Sequence, residues 1–290
     1  MSATAQQVET GAWAGGRERR AIDRRVFIRW VTIAVLLTWL VLPMVPLLIW
    51  SFSFRWFFPD VLPSQYSLRA WNYVFSPTSG VLQSLWDTIL ISAGATALSI
   101  LVGVPAGRAL GQYRFRGKTL VELLILAPTI VPGIAVVLGI HVLFIRYGLA
   151  NTAFGVMLVH LIPTLPYMVL VMSGVFANYG TELEDTARTL GAGRIRVFLQ
   201  ITLPAIRPGL SVALMFTFLI SWGQYLPTLL IGSGRITTLP LVLFPLLSGP
   251  NKANAAAVSL VFIAPALLAL VFTSRQLGRD STTLGGFGRL

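Results

Sequence analysis

The chain has 290 residues, of which 55% are hydrophobic and only 11% are charged, and it contains no cysteine. A soluble protein carries about 25% charged residues, so this chain has too few polar side chains to cover a water-soluble core. The composition excludes an ordinary soluble globule, a disordered chain, a disulfide-stabilised fold and any site built on a thiol, and it predicts that lipid surrounds most of the protein.

The first predicted elements are a tail and a membrane span. Residues 1–26 are polar and bear arginine and glycine, which predicts a mobile cytosolic tail. The uncharged run between Arg29 and Arg55 exceeds the roughly 20 apolar residues that a helix needs to cross a bilayer. It predicts a first transmembrane helix over residues 27–54, which starts too late for a typical signal peptide and is therefore expected to be retained.

The next segment, residues 55–83, is rich in proline, serine and aromatic residues and predicts an external loop. Within it, residues 66–75 predict a short interfacial helix with Ser67 as its cap. Tryptophan and tyrosine favour the headgroup region of a membrane. An aromatic belt is the simpler interpretation of this segment, and contact with a ligand is the alternative.

Five more uncharged runs follow, each bounded by charged residues. They lie between Asp87 and Arg108, Glu122 and Arg146, Arg146 and Glu182, Arg207 and Arg235, and Lys252 and Arg275. Each run is long enough to span a membrane. The sequence therefore predicts an all-α integral membrane protein with six transmembrane helices, in which five spans form a core over residues 84–276 and residues 277–290 form a cytosolic tail.

The position of the basic residues predicts how the chain is oriented. A net charge of +12 in a soluble protein would suggest nucleic-acid binding. Here 17 of the 22 Lys and Arg residues fall in the N-terminal tail, the loops after the second and fourth spans, and the C-terminus. Because basic residues accumulate on the cytoplasmic side, we expect both termini in the cytoplasm of a bacterial plasma membrane and no nucleic-acid partner.

The loop between the fourth and fifth spans, residues 180–209, carries strong helix signals. Thr181 and Glu184 match a capping box, in which the threonine hydroxyl accepts an amide hydrogen bond and the glutamate reaches back. Gly191 then ends the helix in a left-handed conformation. A second helix over 194–200 is expected to end at Leu203-Pro204. Local physics leaves open whether this loop transmits force from a soluble partner or merely joins two spans.

This loop resembles the membrane permease subunits of binding-protein-dependent ABC importers, whose motif reads E-A-A, three residues, G, nine residues, I-x-L-P. Asp185-Thr186-Ala187 is followed by three residues and Gly191, and nine residues later by Ile201-Thr202-Leu203-Pro204. The first two letters differ from the motif. Asp185 has a shorter stem than glutamate, and Glu184 could share its role. Residues 126–133 and 221–225 are also similar to family segments in the third and fifth spans.

The resemblance implies a type I ABC importer permease fold with a cytoplasmic coupling helix between spans four and five. Such a chain forms half of a transmembrane solute pathway. Its partners are a second permease subunit (homologous or identical), two cytosolic ABC ATPase subunits, an external solute-binding protein and membrane lipid. ATP and Mg would bind the ATPase subunits, so this chain is expected to be no enzyme and to hold no cofactor or metal; it also has no G-x-x-x-x-G-K-[ST] motif.

Two sets of site residues follow. Those expected to couple the chain to the ATPase are Glu184, Asp185, Thr186, Ala187, Gly191, Ala192, Phe198, Ile201, Leu203 and Pro204. Those expected to line the solute pathway are Pro128, Pro132, Trp222, Gln224 and Tyr225. Prolines loosen a span and broken helices border protein or a water-filled path, while glutamine is costly in lipid. Plain packing within the bundle remains an equal alternative for the pathway set.

Other polar and small residues receive simpler interpretations. His141 and His160 are too few for a histidine-rich metal site and are expected to be hydrogen-bonded in the interior. Gly103 and Gly107 predict close helix packing, and Arg108 is interpreted as a topology anchor.

The main alternative function is an ion-gradient-driven secondary transporter, which requires acids within the membrane as coupling sites. The predicted spans have none at their centres. For the solute, the chain looks nearest to the branch that imports polyamines, thiamine and iron(III) complexes. Polyamine permeases tend to place acids where this chain has Gly223 and Gln224, and a polycation would be poorly stabilised without a carboxylate.

Overall fold

The computed structural model describes residues 15–56 and 59–284, and most of them are helical. The α-helices are α1 (Gly15–Val41), α2 (Met44–Ser51), α3 (Arg69–Phe75), α4 (Val81–Gln112), α5 (Lys118–Ile130), α6 (Gly133–Arg146), α7 (Ala153–Ala177), α8 (Glu182–Thr189), α9 (Arg194–Val197), α10 (Leu203–Trp222), α11 (Leu226–Gly232), α12 (Leu239–Ser248) and α13 (Lys252–Leu284). Strands β1 (Ser53–Arg55) and β2 (Gln65–Tyr66) form an antiparallel hairpin. A 3-10 turn covers Pro77–Ser79 and a π-helical turn covers Phe198–Thr202.

The membrane spans agree in number with the sequence prediction. Among the described residues, four helical segments are long and apolar enough to cross a membrane: Val81–Gln112, Ala153–Ala177, Arg194–Trp222 and Lys252–Ala269. Two bent pairs, α1 with α2 and α5 with α6, bring the total to six when each pair counts as one span. The α5–α6 pair bends by 100° at Val131 and Pro132, so the loosening predicted from the prolines of the third span is confirmed.

The tightest packing in the bundle joins α4 to α7 through three glycines spaced four residues apart. A Cβ on Gly103 would lie 2.4 Å from Met168 Cγ, and one on Gly107 would lie 2.6 Å from Met172 Cβ. At Gly111 the nearest atom would be the Ser173 carbonyl oxygen, at 2.6 Å. The close helix packing predicted for Gly103 and Gly107 is therefore confirmed.

The bundle has two ends, which we name by their contents. The loop face carries α8, α9, the C-terminal ends of α4 and α7, and the start of α5. The opposite face carries the β-hairpin, α3 and the start of α13. A cluster of buried apolar residues that includes Val74 and Val81 joins α3 to α4, α10, α12 and α13. Each face is thus built from segments that are far apart in the sequence.

The first and last helices both extend beyond their membrane spans into the predicted tails. Helix α1 begins at Gly15, within the predicted tail 1–26, and α13 runs to Leu284, within the predicted tail 277–290. Arginine, glutamate and alanine favour helix, and no proline precedes Pro43, so α1 extends upstream of the span. Residues 1–14 and 285–290 lie outside the described residues.

Three further predictions need correction. The interfacial helix begins at Arg69 because Tyr66 pairs in β2, although the Ser67 hydroxyl accepts the Arg69 amide at 3.1 Å. The second loop helix does not end at Leu203-Pro204. Instead it continues through the π-helical turn into α10, and a π turn can accommodate the hydrogen bond that a following proline cannot make. Finally, α11 and α12 are two helices that the sequence did not predict as separate elements.

Candidate functional site on the loop face

The site is organised around one buried carboxylate, that of Glu184 in α8. Its Oε2 accepts hydrogen bonds from Arg108 Nη2 at 2.7 Å and from Arg188 Nη2 at 3.1 Å, and its Oε1 accepts one from the Thr202 hydroxyl at 2.6 Å. The Glu184 side chain has no exposed surface, whereas the Arg108 side chain is 24% exposed. Because Arg108 belongs to α4 and Thr202 to the turn before α10, a single side chain fixes α8 to two membrane spans.

The fourth span completes this arrangement. The Arg108 guanidinium carbon lies 5.7 Å from the centre of the Phe176 ring in α7, within the range of a cation–π contact. Arg108 Nε also donates to Gln112 Oε1 at 2.9 Å, which fixes the direction of its side chain. Helix α8 is therefore connected to α4, α7 and α10 through contiguous polar and aromatic contacts.

Opposing effects act on the pKa of Glu184. Burial alone would raise it, but the hydrogen bond from Thr202 and the hydrogen bond and charge of Arg108 lower it, and the pKa lies below the ordinary value of 4.5. The carboxylate is thus ionised at neutral pH and held in place by charge-assisted hydrogen bonds, which are among the strongest in proteins.

This geometry corrects the predicted capping box. The Thr181 side chain makes no capping bond to the helix; its hydroxyl donates to Asp185 Oδ2 at 3.2 Å. Glu184 points into the bundle because Arg108 and Thr202 offer a charged and a hydroxyl donor, which compete successfully with one backbone amide. Glu184 cannot touch a partner directly, because its side chain is fully covered by its own chain.

The predicted end of the helix is confirmed. Gly191 has φ +86°, a left-handed conformation that glycine adopts without strain. Its amide donates to the Arg188 carbonyl at 3.0 Å, and the Ala192 amide donates to the Ala187 carbonyl at 3.0 Å. These two bonds form a Schellman motif, which fixes the direction in which the chain leaves α8.

The outer side of the loop exposes large apolar side chains. Leu183, Leu190 and Ile195 are 67%, 83% and 77% exposed. A neighbouring cavity of about 870 Å³ is lined by Gly193, Arg194, Ile195, Arg196, Leu199 and Gln200. Apolar side chains grouped on a polar surface mark an interaction site. These three residues were not among those predicted to contact the ATPase, although apolar side chains among charged loop residues were a visible signal.

The other residues expected to contact the ATPase lie in three places. On α8 and at its end, some are exposed (Asp185, Thr186 and Gly191) and others are half-buried (Ala187 and Ala192). The π turn contains Phe198 and Ile201. Leu203 and Pro204 lie elsewhere, in the wall of a groove between α4, α10 and α13. The structure thus brings most of this set together and separates the last two from it.

The groove has a volume of about 1180 Å³, and its walls are mainly apolar. Ala93 and Ile100 of α4, Leu214 and Phe218 of α10, and Leu268 of α13 contribute to its walls. Among the lining residues whose side chains the structure describes, Arg207 is the only charged one. None of the five residues predicted for the solute pathway lies in this groove.

The predicted pathway residues take other positions. Trp222 is only 3% exposed and its indole nitrogen donates to the Phe262 carbonyl at 3.0 Å, an arrangement that matches the alternative of packing within the bundle. Gln224 Nε2 donates to the Ile220 carbonyl at 3.0 Å, and the Tyr225 ring lies 4.6 Å from that of Phe244. Both residues lie at the break between α10 and α11. Pro132 is exposed at the α5–α6 bend, and Pro128 is half-buried in α5.

Sequence reasoning missed Arg108 and Thr202 as members of the site. Arg108 was interpreted as a topology anchor, and its contact with Glu184 crosses 76 residues of chain. No local sequence pattern predicts a contact between residues so far apart in the chain. Its position at the loop-face end of a span was the available signal, since an arginine there can reach either water or a neighbouring helix.

The chain belongs to the family of binding-protein-dependent transport system inner membrane components, whose sequence pattern matches residues 99–276. It is 24% identical over 232 residues to the inner membrane ABC transporter permease protein YcjP of Escherichia coli. The aligned region covers 79% of this chain and 82% of YcjP. It is therefore a multi-pass membrane permease of the ABC importer class, and not a secondary transporter.

Solved structures show the same fold. A bacterial ABC transporter involved in the import of the acidic polysaccharide alginate aligns with a TM-score of 0.67 at 16% identity, covering 88% of this chain and 97% of that one. The bacterial alginate ABC transporter in complex with an alginate pentasaccharide-bound periplasmic protein aligns with a TM-score of 0.57 at 16% identity, covering 90% and 97%. The fold is that of a type I ABC importer permease.

Proposed function

We propose that this chain forms half of the solute pathway of an ATP-driven importer and that α8 couples the pathway to a cytosolic ATPase. The observation that carries the proposal is the two-sided character of α8. Its inner side is fixed to three spans through Glu184, while its outer side and the following turn present Leu183, Leu190 and Ile195 to water. A helix of this kind can bind a soluble partner and transmit its displacement to the membrane.

The loop face is cytoplasmic in this proposal, and so are both termini. The support is the distribution of basic residues, 17 of 22 of which belong to that side. The opposite face, with the β-hairpin and α3, then meets the external solute-binding protein. The family's binding-protein dependence and the alginate transporter solved with its periplasmic protein support a partner of this kind.

The groove between α4, α10 and α13 supplies this chain's share of the pathway, and a second permease, identical or homologous, closes it. Two ATPase subunits bind ATP and Mg, and the permease itself performs no catalysis. When the ATPases close on ATP, they displace α8, and the Glu184 contacts carry the displacement to α4, α7 and α10. Two of these three helices wall the groove, so access alternates between the two faces.

The proposed solute is a small molecule of the kind carried by the thiamine and iron(III) branch. A polyamine is disfavoured because the described part of the groove lining contains one arginine and no carboxylate, and a polycation is poorly stabilised in such an environment. Purification of the binding protein with its bound solute, followed by mass spectrometry, identifies the molecule. A polyamine in that protein would contradict this part of the proposal.

The docking surface is tested by Leu190→Asp, with Thr189→Asp as its matched control. Both residues are exposed near the end of α8, so both variants place the same charge in the same region. Leu190→Asp should weaken ATPase binding by about tenfold or more, as expected for loss of an apolar contact at the centre of an interface, and Thr189→Asp should have a smaller effect. If Leu190→Asp bound the ATPase as tightly as the wild type, the proposed docking surface would be wrong. Solute uptake into vesicles without ATP would contradict the proposal that import is driven by ATP.

A further inference from the structure

His160 makes a buried hydrogen-bonded bridge that the proposed coupling does not use. This α7 residue is 1% exposed, which confirms its prediction as a hydrogen-bonded interior histidine. Its Nδ1 lies 2.8 Å from the hydroxyl of Ser221, and its Nε2 lies 2.9 Å from the hydroxyl of Thr228. Ser221 belongs to the last turn of α10 and Thr228 to the first turn of α11, so the imidazole contacts both sides of the break in the fifth span.

The hydrogen-bond directions assign the tautomer. The Thr228 hydroxyl donates to the Gln224 carbonyl at 3.0 Å, so it accepts from His160 Nε2–H. Nδ1 of the same neutral ring then accepts from the Ser221 hydroxyl. The side chain at position 160 must therefore donate one hydrogen bond to Thr228 of α11 and accept one from Ser221 of α10.

The bridge continues to the second span. The Thr164 hydroxyl donates to the His160 carbonyl at 2.7 Å and lies 3.0 Å from the Ser99 hydroxyl of α4. Ser99 and Thr164 both have no exposed surface. Buried polar groups of this kind rigidify a bundle when every member is satisfied, and here they fix the position of α11 relative to α7 and α4.

The break that His160 bridges adjoins the groove. Phe218, a groove residue, lies 5.7 Å from Trp222 between ring centres, one turn before the break. Gly223 in the break is exposed, and the nearest atom to a Cβ placed there would be the Leu219 carbonyl oxygen at 3.7 Å. Non-helical backbone at membrane depth is tolerated where it borders protein or a water-filled path, and Gly223–Tyr225 is such a segment.

We infer that His160 is a positioning residue that holds α10 and α11 together across the break and thereby sets the shape of the solute pathway where the groove adjoins that break. The second part of this inference rests on the proposed function. His160 need not touch the solute, because it acts through Ser221 and Thr228.

The structural test measures detachment of α11 from α7. Ile231 in α11 has no exposed surface and packs in a cluster with Val156 and Val159 of α7. The chain has no cysteine, so Ile231→Cys provides a single thiol, and its rate of reaction with N-ethylmaleimide is measured in the assembled complex. His160→Leu should raise this rate about tenfold, because it removes two buried hydrogen bonds and leaves the buried Ser221 hydroxyl without its acceptor.

The controls separate hydrogen bonding from packing. His160→Gln carries one donor and one acceptor, as the assigned tautomer requires, and should keep the labelling rate within about twofold of the parent. His141→Leu changes the other histidine and should leave the rate unchanged. If His160→Leu fails to assemble, Ser221→Ala and Thr228→Val each remove one contact and should raise the rate about threefold.

The functional test uses MgATP hydrolysis stimulated by the binding protein purified with its bound solute. His160→Leu should lower the stimulated kcat about tenfold while the KM for MgATP stays the same, and His160→Gln should restore the kcat. Parental labelling and kcat in His160→Leu would overturn the inference. So would equal damage by leucine and glutamine, since the ring volume would then be what matters. Absence of stimulation in the wild type would contradict the proposed function alone, because the labelling test requires no ATP.

Discussion

At the scale of single residues, the loop contrasts two neighbouring carboxylates. Glu184 is buried and bonded to Arg108, Arg188 and Thr202, whereas Asp185 is largely exposed and bonds only to Thr181 and Arg188 of its own loop. Removal of one member of a buried ion pair leaves an uncompensated charge and typically costs about 3–5 kcal/mol, while exposed pairs contribute about 0–1 kcal/mol. The stability of the loop therefore depends mainly on Glu184, although the family motif places its acid at position 185.

The stabilising effect of Glu184 should depend on pH. Its folded pKa lies below the ordinary 4.5, so the contribution is complete above about pH 4.5 and is lost as the pH falls through the folded pKa. Glu184→Gln should lower the thermal unfolding midpoint of the purified chain at pH 7, and the difference from wild type should shrink below pH 4.5. Glu182→Gln, at an exposed position of the same helix, is the control. A difference that stays constant from pH 7 to pH 3 would contradict this assignment.

A second prediction concerns the end of α8. Gly191→Val places a β-branched residue at φ +86°, which costs about 1–2 kcal/mol and changes the direction in which the chain leaves the helix. In reconstituted complexes this variant should insert into the membrane but bind the ATPase weakly or hydrolyse ATP without transport. Asp185→Ala should have a smaller effect because Glu184 remains.

The matched control for that variant is Gly180→Val. Gly180 precedes α8, its φ is not left-handed, and a Cβ placed there meets no atom within 4 Å. It should therefore tolerate valine. Similar solute-stimulated hydrolysis in the Gly191 and Gly180 variants would show that the left-handed end of α8 has no part in coupling.

The sequence predicted the features of the site that depend on neighbours along the chain. Gly191 was identified because a helix stop needs a left-handed residue a fixed distance after the last turn. The partners of Glu184 were not identified, since Arg108 is distant in sequence and an acid in the first turn of a helix also fits a local cap. The packing of Trp222 was not predicted for a related reason: an amphipathic side chain at mid-span can face a path or the core, and its partner Phe262 is 40 residues away in the sequence.

At the scale of elements, α4 and α7 form the closest helix pair of the bundle. The approach depends on Gly103, Gly107 and Gly111, whose missing side chains leave room for Met168, Met172 and the backbone of α7. Prolines and glycines within the spans thus have distinct roles. Glycine permits contact between helices, while Pro132 coincides with the bend between α5 and α6.

Gly107→Ala should destabilise the bundle by about 1–3 kcal/mol, because the added methyl group would lie 2.6 Å from Met172 Cβ and 3.0 Å from the Ser173 amide nitrogen. Gly139→Ala is the control in α6, where a Cβ meets no atom within 4 Å. That change should be neutral or stabilising by up to about 1 kcal/mol, since alanine favours helix. Thermal unfolding midpoints of the two variants provide the comparison. Equal midpoints would contradict the close contact of α4 with α7.

At the scale of the whole molecule, the number of spans was predictable and their detailed shape was not. Long uncharged runs report helices that cross lipid, because a charge within the hydrocarbon is costly. The same runs do not show where a span breaks. The fifth run, between Arg207 and Arg235, contains most of α10, the break and α11. The helix of this span begins upstream of the run, at Arg194, because it continues through polar residues of the loop.

Orientation provides a prediction at this scale. The chain has no cysteine, so each introduced cysteine is the chain's single site for thiol labelling. Ser64→Cys, exposed beside the hairpin on the opposite face, should react with a membrane-impermeant reagent in intact cells. Thr189→Cys, exposed on α8, should react only after the cells are permeabilised. The reverse pattern would place the loop face outside and would contradict the proposed docking of an ATPase.

The π-helical turn sets the direction in which the loop residues face relative to the membrane-crossing part of the fifth span. Arg194–Trp222 is one helical segment of 29 residues, about 43 Å long, so a tilt of about 5° at one end displaces the other by about 4 Å. The turn at Phe198–Thr202 contains one residue more than an α-helical turn would. Deletion of one of its residues would rotate the loop by about 100° relative to the span. Thr202 would then no longer face Glu184, although every membrane-crossing residue would remain.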